Sequence, residues 1–315
     1  MVGPCVATRP IPRPSLFPDL SPSLGHMSVL ATTPPGDVTP RREVRRPTGL
    51  GAAVVTTILA LLLAAAVYGI AVRTSWGQLV DQYVLDAARR ASAVAHVPHI
   101  LTVQAVTDPR IWVIAAMLAV GGSVIPAVTG RTPVGIALVK TAALLVFPVI
   151  IVVLTRYLRD GVLVRPRLHS WIAETSNSAP SGHAAAVTSC VVVLIAAAPK
   201  WLRPFVVAVG ATWASVIEFG LVADGWHRPS DVVISVLIVI GLGALLPDPW
   251  ADSPTPRGSF LMRSLAFLIT VIATPLIVGT SYGDPRQIAT AVGIATVMGI
   301  ALGGYRPCAY RSRLG

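Results

Sequence analysis

The sequence predicts an all-α membrane protein with eight transmembrane helices. Three observations carry this. A mean hydropathy of +0.71 and 54% hydrophobic residues are too apolar for a soluble chain of 315 residues, so the apolar surface must be buried in lipid. Eight apolar stretches follow a polar N-terminal region, each near the roughly 20 residues needed to cross a bilayer. Polar and charged residues concentrate at the ends of those stretches.

Taken in order, residues 1–48 are rich in Pro, Ser, Thr and Arg and read as a disordered cytoplasmic N-terminal tail. Met27 is an alternative start, and no secretory signal precedes it. The first apolar run is late and long enough to be a permanent span. Spans are expected at about 50–72, 111–129, 134–155, 184–199, 204–223, 231–247, 260–280 and 286–304. The fourth and sixth are short because polar residues cap them. Residues 74–110 form a polar connection with Asp81, Asp86, Arg89 and Arg90 at helical spacing, predicting an interfacial helix with a solvated structural role. Residues 248–259 read as a plain loop. The resulting organisation is the tail 1–48, spans one to six over 49–247, spans seven and eight over 248–304, and a basic cytoplasmic tail 305–315.

The chain carries 25 Lys and Arg against 14 Asp and Glu. A basic chain invites a nucleic-acid reading, but these arginines sit in short loops and tails beside apolar spans. That pattern is topological, and nucleic acid is not expected as a partner. One side of the membrane holds the N-terminal tail, Arg131, Lys200, Arg203, Arg257 and the C-terminal tail, which makes it the cytoplasmic side. Both termini are then cytoplasmic in a multi-pass cell-membrane protein. The connections between spans three and four and between five and six face outward. Lys140 is expected to snorkel from the third span. Glu218 is expected to face the bundle interior, supporting either an active-site arginine or a helix contact. Cys5, Cys190 and Cys308 are too scattered for a metal site or an expected disulfide.

Three segments converge on the outward side: Arg156 to Arg167 leaving the third span, Pro180-Ser181-Gly182-His183 entering the fourth, and His227-Arg228-Pro229-Ser230-Asp231 entering the sixth. A Ser-Gly turn that opens a helix presents free backbone N–H groups and the positive end of the helix dipole, an arrangement suited to phosphate. His227 and Asp231 are four residues apart, so on a helix the carboxylate lies beside the imidazole. It would fix the ring tautomer and leave the other nitrogen free to attack or accept a proton. Arginine forks would clamp phosphate oxygens. The expectation is a membrane-embedded phosphate ester hydrolase.

These blocks resemble the type 2 phosphatidic acid phosphatase (PAP2) or lipid phosphate phosphatase superfamily. Its signature is a Lys, six residues and Arg-Pro; then Pro-Ser-Gly-His; then Ser-Arg, five residues, His, three residues and Asp. The middle block is complete at residues 180–183. The third supplies His227 and Asp231, and the first supplies Arg165-Pro166. The resemblance implies a PAP2-like six-span core, with the last two spans outside it. Two positions depart from the signature. Leu158 stands where the Lys belongs, with Arg159 one residue nearer to Arg165. Gly220-Leu221 replaces Ser-Arg, which removes one phosphate-binding arginine, and Arg228, Arg167 and Arg156 are the candidates to compensate. Losing one preorganised donor costs on the order of 3 kcal/mol of transition-state stabilisation.

The resemblance further implies a two-step hydrolysis. His227 would attack phosphorus with Asp231 orienting it. His183 would protonate the leaving oxygen and then activate water. Arg159, Arg165, Ser181 and Gly182 would hold the phosphate oxygens. The family uses no metal or other cofactor. The implied partners are a lipid phosphate or diphosphate substrate (polyprenyl, phosphatidic acid or phosphatidylglycerol phosphate class) and membrane lipids, with the oligomeric state left open. The alternatives are a phosphotransferase using the same site, or a catalytically weakened PAP2 fold that binds lipid or plays a structural part.

Overall fold

The computed structural model describes residues 49–89, 98–172 and 176–309, and all that follows concerns these. The expected tail over 1–48, Arg90 and the end of the C-terminal tail lie outside them. Helices are α1 (Gly49–Val67), α2 (Ser75–Ala88), α3 (Pro109–Val128), α4 (Val134–Tyr157), α5 (Gly182–Ala197), α6 (Arg203–Ala223), α7 (Pro229–Gly243), α8 (Ser259–Tyr282) and α9 (Pro285–Gly304). Wider helical turns extend α1 through Val72 and α4 through Val162. All eight expected spans coincide with helices. Six are long and apolar enough to cross a membrane, while α5 and α7 are shorter apolar helices.

Lipid-length helices face outward with large apolar side chains, among them Leu62 of α1, Val139 of α4 and Phe260 of α8. Such residues favour a hydrocarbon surrounding over water. Helix α5 behaves differently. Every residue from Ala184 to Val193 is buried, because α3, α4, α6 and α7 pack around it. A helix apolar on all sides that is also too short to span alone belongs in such a centre. Its neighbours approach closely through small residues. A Cβ on Gly210 of α6 would stand 2.6 Å from Val191 Cγ1.

Around this centre, α1 lies on α7, where Thr57 Oγ1 donates to the Gly241 carbonyl at 2.7 Å. The α8–α9 hairpin lies on α6, and α9 also reaches α2. Glu218 is fully buried, and its Oε1 accepts from Thr188 Oγ1 of α5 at 2.8 Å, so it makes a helix contact and not an arginine contact. Lys140 is also buried, its Nζ donating to the Asp248 carbonyl at 3.1 Å.

Two expectations need correction. Residues 248–259 are not a plain loop, because Asp248 is buried and accepts both Nη groups of Arg203. Trp250 Nε1 donates to the carbonyls of Gly122 and Ala197, which plugs that end of the bundle. Nor is Asp81 of α2 solvated. It is 5% exposed, on a buried stripe with Gln78, Gln82 and Leu85.

Candidate active site

Chain ends at one level of the bundle bring the three segments together. Ser181 is the N-cap of α5, and its Oγ accepts from Ala184 N at 3.2 Å. On the opposite side, Gly225 (φ +74°) turns the chain out of α6. Trp226 N and His227 N then both donate to the Leu221 carbonyl, at 3.0 and 3.2 Å. This fixes the backbone that carries His227. Helix α7 follows, with Pro229 in its first turn and Asp231 accepting from Arg228 N at 2.9 Å, the reciprocal half of a helix cap.

The imidazoles of His183 and His227 face each other with ring centroids 6.1 Å apart, and Trp226 packs edge-on to His183 at 5.5 Å. His227 Nδ1 lies 3.2 Å from the Ser178 carbonyl and 3.9 Å from Asp231 Oδ2. A carbonyl can only accept, so Nδ1 carries the proton and Nε2 keeps a lone pair. Asp231 is fully buried, receiving Ser178 Oγ at 2.5 Å and Arg165 Nη2 at 3.1 Å.

Arg165 is positioned from both sides of its loop. Tyr68 Oη donates to the Val164 carbonyl at 2.6 Å and accepts from Val164 N at 2.9 Å. Gln78 Nε2 holds the Pro166 carbonyl at 2.8 Å. Asn177 Nδ2 ties down the carbonyls of Arg159, Leu163 and Ala179. The guanidinium thereby enters a buried cluster, 3.1 Å from Asp231 Oδ1 and 3.6 Å from Asp81 Oδ2. Asp81 in turn accepts from Ser230 N at 3.0 Å and Ser230 Oγ at 2.7 Å. Burial, and next the charge of Asp231, push the Asp81 carboxyl above its ordinary pKa; the Ser230 hydrogen bonds and Arg165 oppose the shift.

The residues expected to hold phosphate have these contacts within the protein. Arg165 is turned to the two carboxylates. Ser181 N donates to the Asp231 carbonyl at 3.3 Å, while Ser181 Oγ accepts from Ala184 N and keeps its hydroxyl proton for a further acceptor. The N–H groups of Gly182 and His183 have no acceptor among the described residues, and they become the donors at the start of α5. Arg159 is half-buried and forms a two-pronged pair with Asp160, at 2.7 and 3.1 Å.

Of the three compensating candidates, Arg167 is exposed and, among the described residues, donates to the Ser170 carbonyl at 3.4 Å. Arg228 is buried at the α7 cap. Arg156 flanks the α5 turn, its Cγ 3.9 Å from where a Gly182 Cβ would stand. Leu221 is fully buried in the hydrophobic core and supplies the site only its carbonyl. Arg89, at the end of α2, brings its guanidinium against Gly225.

Asp81, Ser178 and Arg89 are the neighbours that sequence reasoning missed. Only Asp81 had a signal, since Gln78, Asp81, Gln82 and Leu85 recur at helical spacing. Among the described residues, no three His, Cys, Asp or Glu side chains gather as a metal would require.

A multi-pass helical bundle with paired histidines at a helix N-terminus defines the class. Residues 112–248, from α3 to the end of the α7 segment, match the model of the PAP2 superfamily. Helices α1, α2, α8 and α9 lie outside the match. No curated protein and no solved structure matches the chain.

Proposed function

We propose that the protein is an integral membrane phosphatase that hydrolyses a lipid phosphate or diphosphate at the outer membrane face through a phosphohistidine intermediate. The observation that carries this reading is the pairing of His183 and His227 across 6.1 Å, with the Nδ1 proton of His227 committed to the Ser178 carbonyl. The Nε2 lone pair of His227 attacks phosphorus. The P–O bond to the lipid breaks, and His183 gives its proton to the leaving oxygen. His183 then takes a proton from water as the water oxygen attacks phosphorus, the P–N bond breaks and phosphate leaves. Asp231 stabilises the charge that develops on His227. Arg165 positions Asp231, while the Gly182 and His183 N–H groups, Arg156 and Arg159 receive the phosphoryl oxygens.

The outward placement rests on the distribution of Lys and Arg among the short loops. The decisive experiment measures phosphate release from a panel of lipid phosphates and diphosphates in detergent, without added metal, with His227→Ala as the control. Release by the wild type that disappears in the variant is expected; equal release from both would remove the mechanism.

A second reading, a PAP2 fold with weakened catalysis, is favoured by Leu221 lying in the core and by Arg165 being held by carboxylates. It predicts lipid phosphate binding without turnover. A phosphotransferase would instead give acceptor-dependent product without phosphate release.

A further inference from the structure

At the end of the bundle opposite His183 and His227, four cationic side chains line one cavity of about 140 Å³. They come from four places in the chain: Lys200 from the α5–α6 turn, Arg203 from the start of α6, Arg263 from the first turns of α8, and Arg306 from the segment after α9. Asp248 is the one carboxylate among the lining residues.

Asp248 is already committed. It accepts both Nη groups of Arg203, at 2.5 and 3.1 Å, and Trp250 N at 2.8 Å. Lys200 Nζ donates to the carbonyls of Ala251 and Ser253. Arg263 reaches only the Gly303 carbonyl, at 3.4 Å, and neither Arg263 nor Arg306 has a carboxylate partner among the described residues. Ser259, the first residue of α8, also borders the cavity, so the positive end of that helix dipole adds to the field. Like charges gathered from separate segments in a partly enclosed space repel strongly unless an anion sits among them.

We propose that this cavity is a second, non-catalytic anion site that takes a phosphate group, either of an anionic phospholipid headgroup or free inorganic phosphate. The bound phosphate bridges Arg263 of α8 to Arg306 beyond α9, next to Arg203, whose guanidinium is already engaged by Asp248 and by the carbonyls of Ala196 and Ala198. It thereby ties the start of α8 to the segment that follows α9. Basic pockets between helices at a membrane surface suit such headgroups, and the arginine forks offer paired donors to phosphate oxygens.

The test uses the full-length His227→Ala protein, so that turnover does not consume ligand, with and without Arg263→Gln and Arg306→Gln. Melting temperature is read in detergent against inorganic phosphate, and in nanodiscs of phosphatidylcholine alone or mixed with phosphatidylglycerol, a phosphodiester. Stabilisation by at least one probe is expected, with an apparent affinity about tenfold weaker once the arginines are replaced, reflecting lost charge-assisted hydrogen bonds. Stabilisation by phosphate alone identifies the free ion as the ligand, and stabilisation by phosphatidylglycerol alone identifies the headgroup. No stabilisation by either, or equal stabilisation in the double variant, overturns the proposal. Arg306→Gln alone, beyond the last helix, gives the same readout should the double variant not fold. In the wild-type background both substitutions should leave the phosphatase rate within about twofold, since neither residue is near the histidines.

Discussion

His227 Nδ1 lies 3.2 Å from the carbonyl oxygen of Ser178, closer than the 3.9 Å to Asp231. The tautomer is therefore set by a backbone acceptor, and Asp231 contributes its charge. Asp231→Asn should keep the ring orientation but lose the stabilisation of the imidazolium-like intermediate. A fall in kcat of about a hundredfold to ten-thousandfold is expected, by analogy with triad carboxylates. Residual phosphate release should stay above that of His227→Ala. Equal rates for the two variants would mean that Asp231, not Ser178, holds the ring.

His183 sits across the gap from His227, and the proposed mechanism uses it in both steps. With an aryl phosphate, whose leaving group needs little protonation, His183→Ala should still form the phosphoenzyme and fail to hydrolyse it. Acid-labile, base-stable phosphate on the protein should then accumulate after rapid mixing. A variant that neither labels nor turns over would assign His183 to binding alone.

The eight apolar stretches were legible because lipid-facing surface must be apolar along its whole length, and the short fourth and sixth stretches correspond to the two buried helices α5 and α7. The meeting of His183, His227 and Asp231 was legible because the three lie at the ends of apolar stretches, with His227 and Asp231 four residues apart. The Ser178 carbonyl was not, since every residue has a carbonyl and only tertiary placement selects one. Asp81 was misread because its inward stripe is polar: Gln78 and Gln82 lower the apolar contrast that normally marks the buried face. The carboxylates of Asp81 and Asp231 beside Arg165, which was read as a phosphate ligand, were not legible, because a sequence displays charge but not the counter-charge that folding brings to it. The same holds for Asp248 and Arg203, which are 45 residues apart.

Asp81 caps α7 from another helix, accepting from Ser230 N and Ser230 Oγ. Asp81→Ala would strand a buried N–H and should cost about 1–3 kcal/mol of stability. Asp81→Asn keeps one acceptor and should cost less. Because burial raises the carboxyl above its ordinary value of 3.8, its favourable contribution is fully present below that pH and is lost as pH rises through the raised value. Wild type should therefore lose stability relative to Asp81→Asn over that interval. Melting temperatures of both proteins across the acid range check this, and parallel curves would contradict it.

Gly225 combines φ of +74° with a guanidinium pressed against it: an added Cβ would stand 3.2 Å from Arg89 Nε and Nη2. The left-handed backbone alone costs a side chain about 1–2 kcal/mol. Gly225→Ala should therefore displace Arg89 or the Trp226–His227 turn. A drop in kcat larger than the loss of thermal stability would accord with a shifted His227. Unchanged kinetics would show the turn to be tolerant.

Leu221 occupies the position where the PAP2 signature places an arginine, which makes Leu221→Arg a natural attempt to restore it. The surroundings argue against success. Leu221 has no exposure and packs within the main hydrophobic core, while its carbonyl anchors both Trp226 N and His227 N. A guanidinium forced into that position overpacks the core, which costs about 1–3 kcal/mol, and Glu218, the buried carboxylate one turn earlier, is already bonded to Thr188 of α5. The same strain would pass to the turn that carries His227. Leu221→Arg should therefore lower both melting temperature and phosphate release, whereas Leu221→Met, which preserves volume, should leave both close to wild type. A rise in kcat with unchanged stability would mean that residue 221 can reach the phosphate after all, and that the signature arginine was lost without a rearrangement of the core.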